Sequence, residues 1–178
     1  EVRVLDPLAD PHWDENLLER DEASVFHTAA WARVLRDSYG YSCCYLAERA
    51  GDQFSFLLPL MDVRSVLTGR RGISLPFTDF CEPLLDQNSP SPGVLDSLVE
   101  LGRQRGWKYF EVRGGERIFS DAQPAMTVFG HTLDLTPMRQ AYGQPQIDRG
   151  IREQPLAIAG QKFEHGVGTH ASSTLWIN

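Results

Sequence analysis

The chain has 178 residues, of which 42% are hydrophobic, 23% charged and 10% aromatic, a composition that supports a packed core and excludes wholesale disorder. Asp and Glu outnumber Lys and Arg by 24 to 17, a net charge of −7, which argues against sequence-independent binding to duplex nucleic acid, where a basic surface must neutralise phosphates. No run approaches the roughly 18–20 apolar residues that span a membrane, and Cys43, Cys44 and Cys81 are odd in number and lack metal-ligand spacing, so neither a disulfide framework nor a zinc site is expected.

Asp10-Pro11 reads as a helix start, with Trp13, Leu17 and Leu18 on one face and Asp14, Glu15 and Glu19 on the other. A second helix is expected from Thr28, carrying Trp31, Val34, Leu35 and Tyr39 at helical spacing and ending at Gly40. The period then shortens. Cys44–Arg49 and Gln53–Met61 read as strands joined at Ala50-Gly51-Asp52. Ser91-Pro92 opens a third helix with Leu95, Leu98 and Leu101, closed by Gly106. Trp107–Arg113 alternates like a strand, Gly114-Gly115 breaks it, and Met126–Leu135 reads as another strand. Helices mixed with hairpins over this length point to a mixed α+β domain, with helices packed on a sheet.

Beyond Pro137 the punctuation becomes that of an all-β segment: Gly143, Pro145, Gly150, Pro155, Gly160, Gly166 and Gly168 separate short apolar pieces such as Leu156-Ala157-Ile158 and Leu175-Trp176-Ile177. The organisation expected is therefore residues 1–136 and 137–178, the second piece being near the size (about 40 residues) that seldom builds its own core. The abrupt change also fits two frames joined unnaturally. No basic and then apolar leader opens the sequence, so a signal peptide is not expected and a cytoplasmic location with reduced thiols is.

Familiar catalytic signatures are absent: no Gly-x-Ser-x-Gly elbow, phosphate-binding loop, His-Glu-x-x-His or dinucleotide fingerprint occurs. Gly166-Val167-Gly168 leads into Thr169-His170 rather than a helix. His165 and His170 could join a carboxylate around a metal, but turn and core histidines are commoner, and no metal is assigned. A Cys–His nucleophile pair has no local pattern behind it. The run Arg64–Phe80 sets Arg64, Arg70 and Arg71 around a glycine turn, an arrangement able to grip a diphosphate or carboxylate. The plainer alternative is a solvated turn beside a buried strand.

Two resemblances follow from these residues. Val25-Phe26-His27-Thr28-Ala29-Ala30-Trp31, Tyr45-Leu46-Ala47-Glu48, Leu58-Pro59-Leu60, the Arg64–Phe80 run, Gly106–Arg113 and His131-Thr132-Leu133-Asp134-Leu135 resemble the FemAB-type acyltransferases of the GNAT superfamily over about residues 1–136. That resemblance implies a GNAT-like sheet with packed helices. It also implies acyl or aminoacyl transfer from acyl-CoA or an aminoacyl-tRNA to a muropeptide-type or other amine acceptor in envelope biosynthesis. No permanently bound cofactor is implied. Arg64, Arg70, Arg71 and Asp79 would contact the acceptor, and no catalytic residue is placed. Only the first of the family's two GNAT-like halves is covered, so this chain is not expected to be catalytically complete.

The tail resembles the opening of an NPCBM domain, a β-sandwich carbohydrate-binding module found attached to glycoside hydrolases. The resemblance rests on Tyr142-Gly143-Gln144-Pro145, Asp148, Pro155–Gly160 and above all Phe163–Ser173. It implies an incomplete all-β sandwich fragment after the α+β part. Gly166, Gly168, Thr169 and His170 form its motif and are expected to shape a turn rather than touch sugar. The alternative function is thus a non-catalytic, glycan-associated protein.

Overall fold

A computed structural model describes residues 1–17, 20–78, 81–86, 93–119, 127–132, 152–162 and 175–177. The Asp10-Pro11 signal does not start an α-helix. Asp10 Oδ1 accepts from the His12 amide at 2.9 Å, and the amides of Trp13, Leu17 and Arg20 each donate to the carbonyl three residues back. The result is a tight turn of 3₁₀-helix, Glu15–Leu17. The cause is tertiary. Trp13 is 1% exposed and its indole donates to the His27 carbonyl at 3.0 Å, while Asp14 Oδ1 accepts from the Ala29 amide at 2.6 Å. A regular helix would draw these side chains off the start of the next one.

That next helix, α1 (Ala29–Tyr39), has the ends its sequence announces: Thr28 Oγ1 accepts from the Trp31 amide at 3.2 Å, and Gly40 closes it at φ 69°, a conformation glycine adopts without penalty. Its buried stripe is Ala29, Ala32 and Leu35, whereas Val34 is 46% exposed and Tyr39 52% exposed. The small alanines let the helix lie close over the sheet.

Strands β1 (Arg3–Leu5), β2 (Ser42–Cys43), β3 (Tyr45–Ala50), β4 (Gln53–Leu58), β5 (Met61–Ser65), β6 (Gly69–Ile73) and β7 (Leu84–Leu85) build two sheets. The first has the order β1-β3-β4-β7 and is antiparallel throughout. The ladder Leu46↔Leu58 continues as Cys43↔Met61 and Ser42↔Asp62, but the latter pairs belong to the second sheet. Between them the Cys44 amide donates to the Leu60 carbonyl at 3.0 Å. Pro59, which has no N–H to give a ladder, marks the bend, so the single strand expected over Gln53–Met61 is divided between two sheets.

Residues of β3 and β4 alternate between two cores. Tyr45, Ala47 and Leu57 join Trp13, Ala32 and Leu35 on the α1 side; Leu46, Phe56 and Leu58 join the other cluster. Burial on both faces explains the unbroken apolar run Phe56–Leu58 at the end of β4. Helix α2 (Val94–Arg105) covers the second cluster through Val94, Leu98 and Leu101, leaving Leu95 40% exposed, and ends at Gly106. The Ser91-Pro92 start expected for it lies outside the described residues.

Strand β8 (Tyr109–Arg113) alternates as expected, with Phe110 and Val112 buried, and runs parallel to β6. Strands β9 (Thr127–Thr132), β10 (Arg152–Lys162) and β11 (Leu175–Ile177) extend this sheet to the order β11-β10-β8-β6-β5-β2, with β9 also on β10. Ile158–Lys162 pair with Arg113–Tyr109, so the backbone of the tail hydrogen-bonds directly to the strand after α2. The α+β expectation of a GNAT-like sheet with packed helices is overturned. The described residues hold eleven strands in two sheets and two α-helices, a β-rich architecture built on a bent ladder. The expected division at Pro137 lies outside the described residues.

Candidate functional site

The arginine run forms the β5–β6 hairpin. Arg64 and Arg70 are cross-strand partners on one face; Arg71 opposes Val63 on the other. The three forks therefore do not converge. Arg70 is engaged with Asp62, whose side chain is fully buried: Arg70 Nε donates to both Asp62 oxygens at 2.9 and 3.0 Å and Nη2 donates to Oδ2. Trp107 Nε1 donates to Asp62 Oδ1 at 3.1 Å, and Arg105 Nη1 lies 3.6 Å from Oδ2. Burial pushes the Asp62 carboxyl up, but hydrogen bonds from Arg70 and Trp107 and the two guanidinium charges outweigh it and hold it below the ordinary carboxylate range. Arg70 thus neutralises a core carboxylate before any ligand arrives.

Arg71 Nη1 donates to Thr68 Oγ1, and Arg64 is exposed beside the hairpin tip, where Val66 and Leu67 have almost no cover. Asp79 lies outside the described residues, as do Gly166, Gly168, Thr169 and His170. Gly72 shows why the hairpin fits where it does: a Cβ there would sit 2.3 Å from the Trp107 ring, so only glycine admits the indole to Asp62.

Folding does create a Cys–His contact. Cys81 Sγ lies 3.5 Å from His27 Nε2, with both residues buried. Its hydrogen bonds define the tautomer. Nδ1 accepts from the Ser24 amide at 3.0 Å, so Nε2 carries the proton and donates it to the Glu82 carbonyl at 2.9 Å. A nitrogen already protonated cannot take the thiol proton. Burial also drives the Cys81 thiol far above its ordinary value and the imidazole below its own. The pair ties the segment at Ser24–Thr28 to the segment before β7 and is not a nucleophile. No group of three or more His, Cys, Asp or Glu among the described residues could hold a metal ion.

A cleft of about 560 Å³ opens where β1 meets β3, lined by Val4, Asp6, Asp10, Trp13, Ala47 and Arg49. Arg49 Nη2 donates to Asp10 Oδ2, and its guanidinium stacks 4.5 Å from the Phe54 ring centroid and 5.9 Å from that of Trp13. Burial raises the Asp10 carboxyl, but the His12 amide and Arg49 draw it below its ordinary value. Within the cleft Asp10 and Arg49 thus neutralise each other. The cleft is not legible in the sequence because Asp10 and the Arg49 that pairs with it lie 39 residues apart and share no motif.

Set against known proteins, residues 127–178 match the NPCBM/NEW2 domain family. The matched span contains β9, β10 and β11, whose antiparallel pairing places a β-sheet within it. It begins at Thr127, so the His131–Leu135 stretch grouped with the FemAB-type region falls inside this match instead. Comparisons with curated proteins and with solved structures return no match. Nothing in them supports a FemAB-type or GNAT assignment for the earlier residues.

Proposed function

We propose that this chain binds carbohydrate without transforming it. The observation that carries the reading is the match of residues 127–178 to the NPCBM/NEW2 family, together with the carbohydrate-module motif Phe163–Ser173 read from the sequence. The ladder from β10 to β8 supports a module integrated with the preceding residues rather than trailing behind them. Acyl transfer is not carried further. Arg70, one of its four candidate acceptor contacts, is engaged with Asp62, and no comparison favours that chemistry.

The test is retention of the whole chain on immobilised galactose, glucose and N-acetylglucosamine matrices, with elution by the free sugar. Point substitutions in residues 163–173 are preferable to deleting the tail, because removing β10 would strip β8 of a hydrogen-bonded neighbour. Retention on at least one matrix, reversed by free sugar, is expected. Passage through every matrix at the rate of an unrelated acidic protein would refute the reading.

A further inference from the structure

Three rings stack at the surface where the end of α1 meets the loop after β6. Tyr39 lies 4.4 Å from Phe77 and 5.5 Å from Tyr41 between centroids, with interplanar angles of 28° and 21°. Tyr41 and Phe77 are parallel to within 7° at 6.4 Å. All three rings lie within 28° of parallel; Tyr41 is half-buried against the α1-side core and backs the two exposed rings, Tyr39 and Phe77. A cluster made only for packing would hide its largest members, as Trp13 and Trp107 are hidden at 1% exposure. Here Tyr39 remains 52% exposed and Phe77 60% exposed.

The backbone beneath is strained. Leu75 at φ 51° and Phe77 at φ 67° are the described non-glycine residues with positive φ, and they flank Pro76. Such conformations persist only where the surroundings enforce them, and they cluster at ligand sites. The surroundings here are explicit. The Ser74 amide donates to the Glu111 carbonyl at 2.8 Å, and Ser74 Oγ accepts from the Arg113 amide at 2.7 Å. Thr78 Oγ1 donates to the Leu75 carbonyl at 2.8 Å, Arg113 Nη1 donates to the Thr78 carbonyl, and the Leu75 side chain is fully buried. An inward leucine and a pinned loop thus turn the phenylalanine outward.

The same anchors tie the loop to the module. Ile73 registers with Glu111 on β8, and Glu111 registers with Gly160 on β10, inside the matched span. The ring platform therefore stands beyond the end of β6, in a sheet whose strands β10 and β11, on the far side of β8, lie within the matched span.

We infer that Tyr39, Tyr41 and Phe77 form a stacking platform for one pyranose ring of the glycan. The faces of the rings are electron-rich, and the C–H groups on the apolar face of a pyranose carry partial positive charge, so the two surfaces attract as they shed water. The tyrosine hydroxyls give the platform edge two groups that can bond sugar hydroxyls. This inference rests on the carbohydrate-binding reading and adds a site outside the matched residues.

The experiment titrates methyl galactopyranoside, methyl glucopyranoside, N-acetylglucosamine and their β-linked disaccharides into the whole chain, following the aromatic proton resonances. Phe77→Ala and Tyr39→Ala should each weaken the best sugar by about tenfold, and Phe77→Trp should restore it. Phe77→Gly relieves the backbone and must lose binding while remaining folded, which separates the ring's contact with sugar from any structural role. If a sugar binds and Phe77→Ala and Phe77→Gly keep the wild-type affinity, the platform is refuted and the carbohydrate-binding reading stands. If no sugar binds, both fall. A concentration-dependent dimer that Phe77→Ala abolishes, with sugar affinity unchanged, would also overturn the platform by assigning the rings to a second copy.

Discussion

Phe77 offers a test in which two small substitutions reverse their usual order. Replacing it by Ala or by Gly removes the same ring from Tyr39 and Tyr41, so that loss cancels in the comparison. What remains is backbone. At φ 67° a residue with a Cβ carries a penalty of about 1–2 kcal/mol that glycine does not. Glycine in turn loses about 0.4–1 kcal/mol through the greater freedom of its unfolded chain. Phe77→Gly should therefore be more stable than Phe77→Ala by about 1 kcal/mol, or about 0.5 M in urea midpoint. Buried Trp13 and Trp107 report unfolding by fluorescence. Val34, exposed and in ordinary helix, supplies the control: there Val34→Gly should be about 1 kcal/mol less stable than Val34→Ala. If Ala equals or exceeds Gly at residue 77, the loop is not held left-handed and Phe77 carries no backbone strain.

Asp62→Ala removes the acceptor of Arg70 and of the buried Trp107 indole, while both guanidiniums keep access to water, and should cost about 1–3 kcal/mol by urea unfolding; a loss below about 0.5 kcal/mol would mean the cluster adds nothing to stability. Gly72→Ala should cost about 1–3 kcal/mol, because the Trp107 ring has to move away from Asp62, and its fluorescence should shift accordingly. His27 is held below the ordinary histidine value by burial, against the raising effect of its backbone hydrogen bonds to Glu82 and Ser24. The folded state thus binds its proton later than the unfolded chain on acidification. The stability this contributes is complete above about pH 6.5 and declines as pH falls from there toward the folded value. Urea midpoints measured from pH 7.5 to 5 should fall in the wild type and less steeply in His27→Gln; identical slopes would refute the assignment.

Much of the local structure was legible in order along the chain. Thr28 and Gly40 bound α1 because a cap needs only a side-chain oxygen at one end and a residue free of Cβ strain at the other. Tyr109–Arg113 alternates because its inner residues meet the α2 cluster and its outer ones do not. The Asp10-Pro11 helix failed for a reason no local pattern carries: Trp13 and Asp14 are drawn to His27 and Ala29, fourteen and fifteen residues on. The α+β expectation failed similarly, since periodicity identifies strands without saying that one ladder bends at Cys44 and Leu60 into two sheets.

The candidate sites divide along the same line. An arginine-rich turn is visible in sequence, but that Arg70 serves Asp62, eight residues earlier and fully buried, depends on Trp107 and Arg105 arriving from another element. The ring platform brings residues 39 and 41 to residue 77, and a Cys–His contact spans residues 27 and 81. Short-range sterics and hydrogen bonding made helix ends and strand alternation readable in the chain, and the NPCBM resemblance of the tail agrees with the family match over residues 127–178. The tertiary structure alone decided which charges are already neutralised, which histidine nitrogen holds its proton and which aromatic rings stay open to solvent. Each of those depends on groups far apart in sequence, brought together when apolar burial on both faces of the first sheet closes the chain around them.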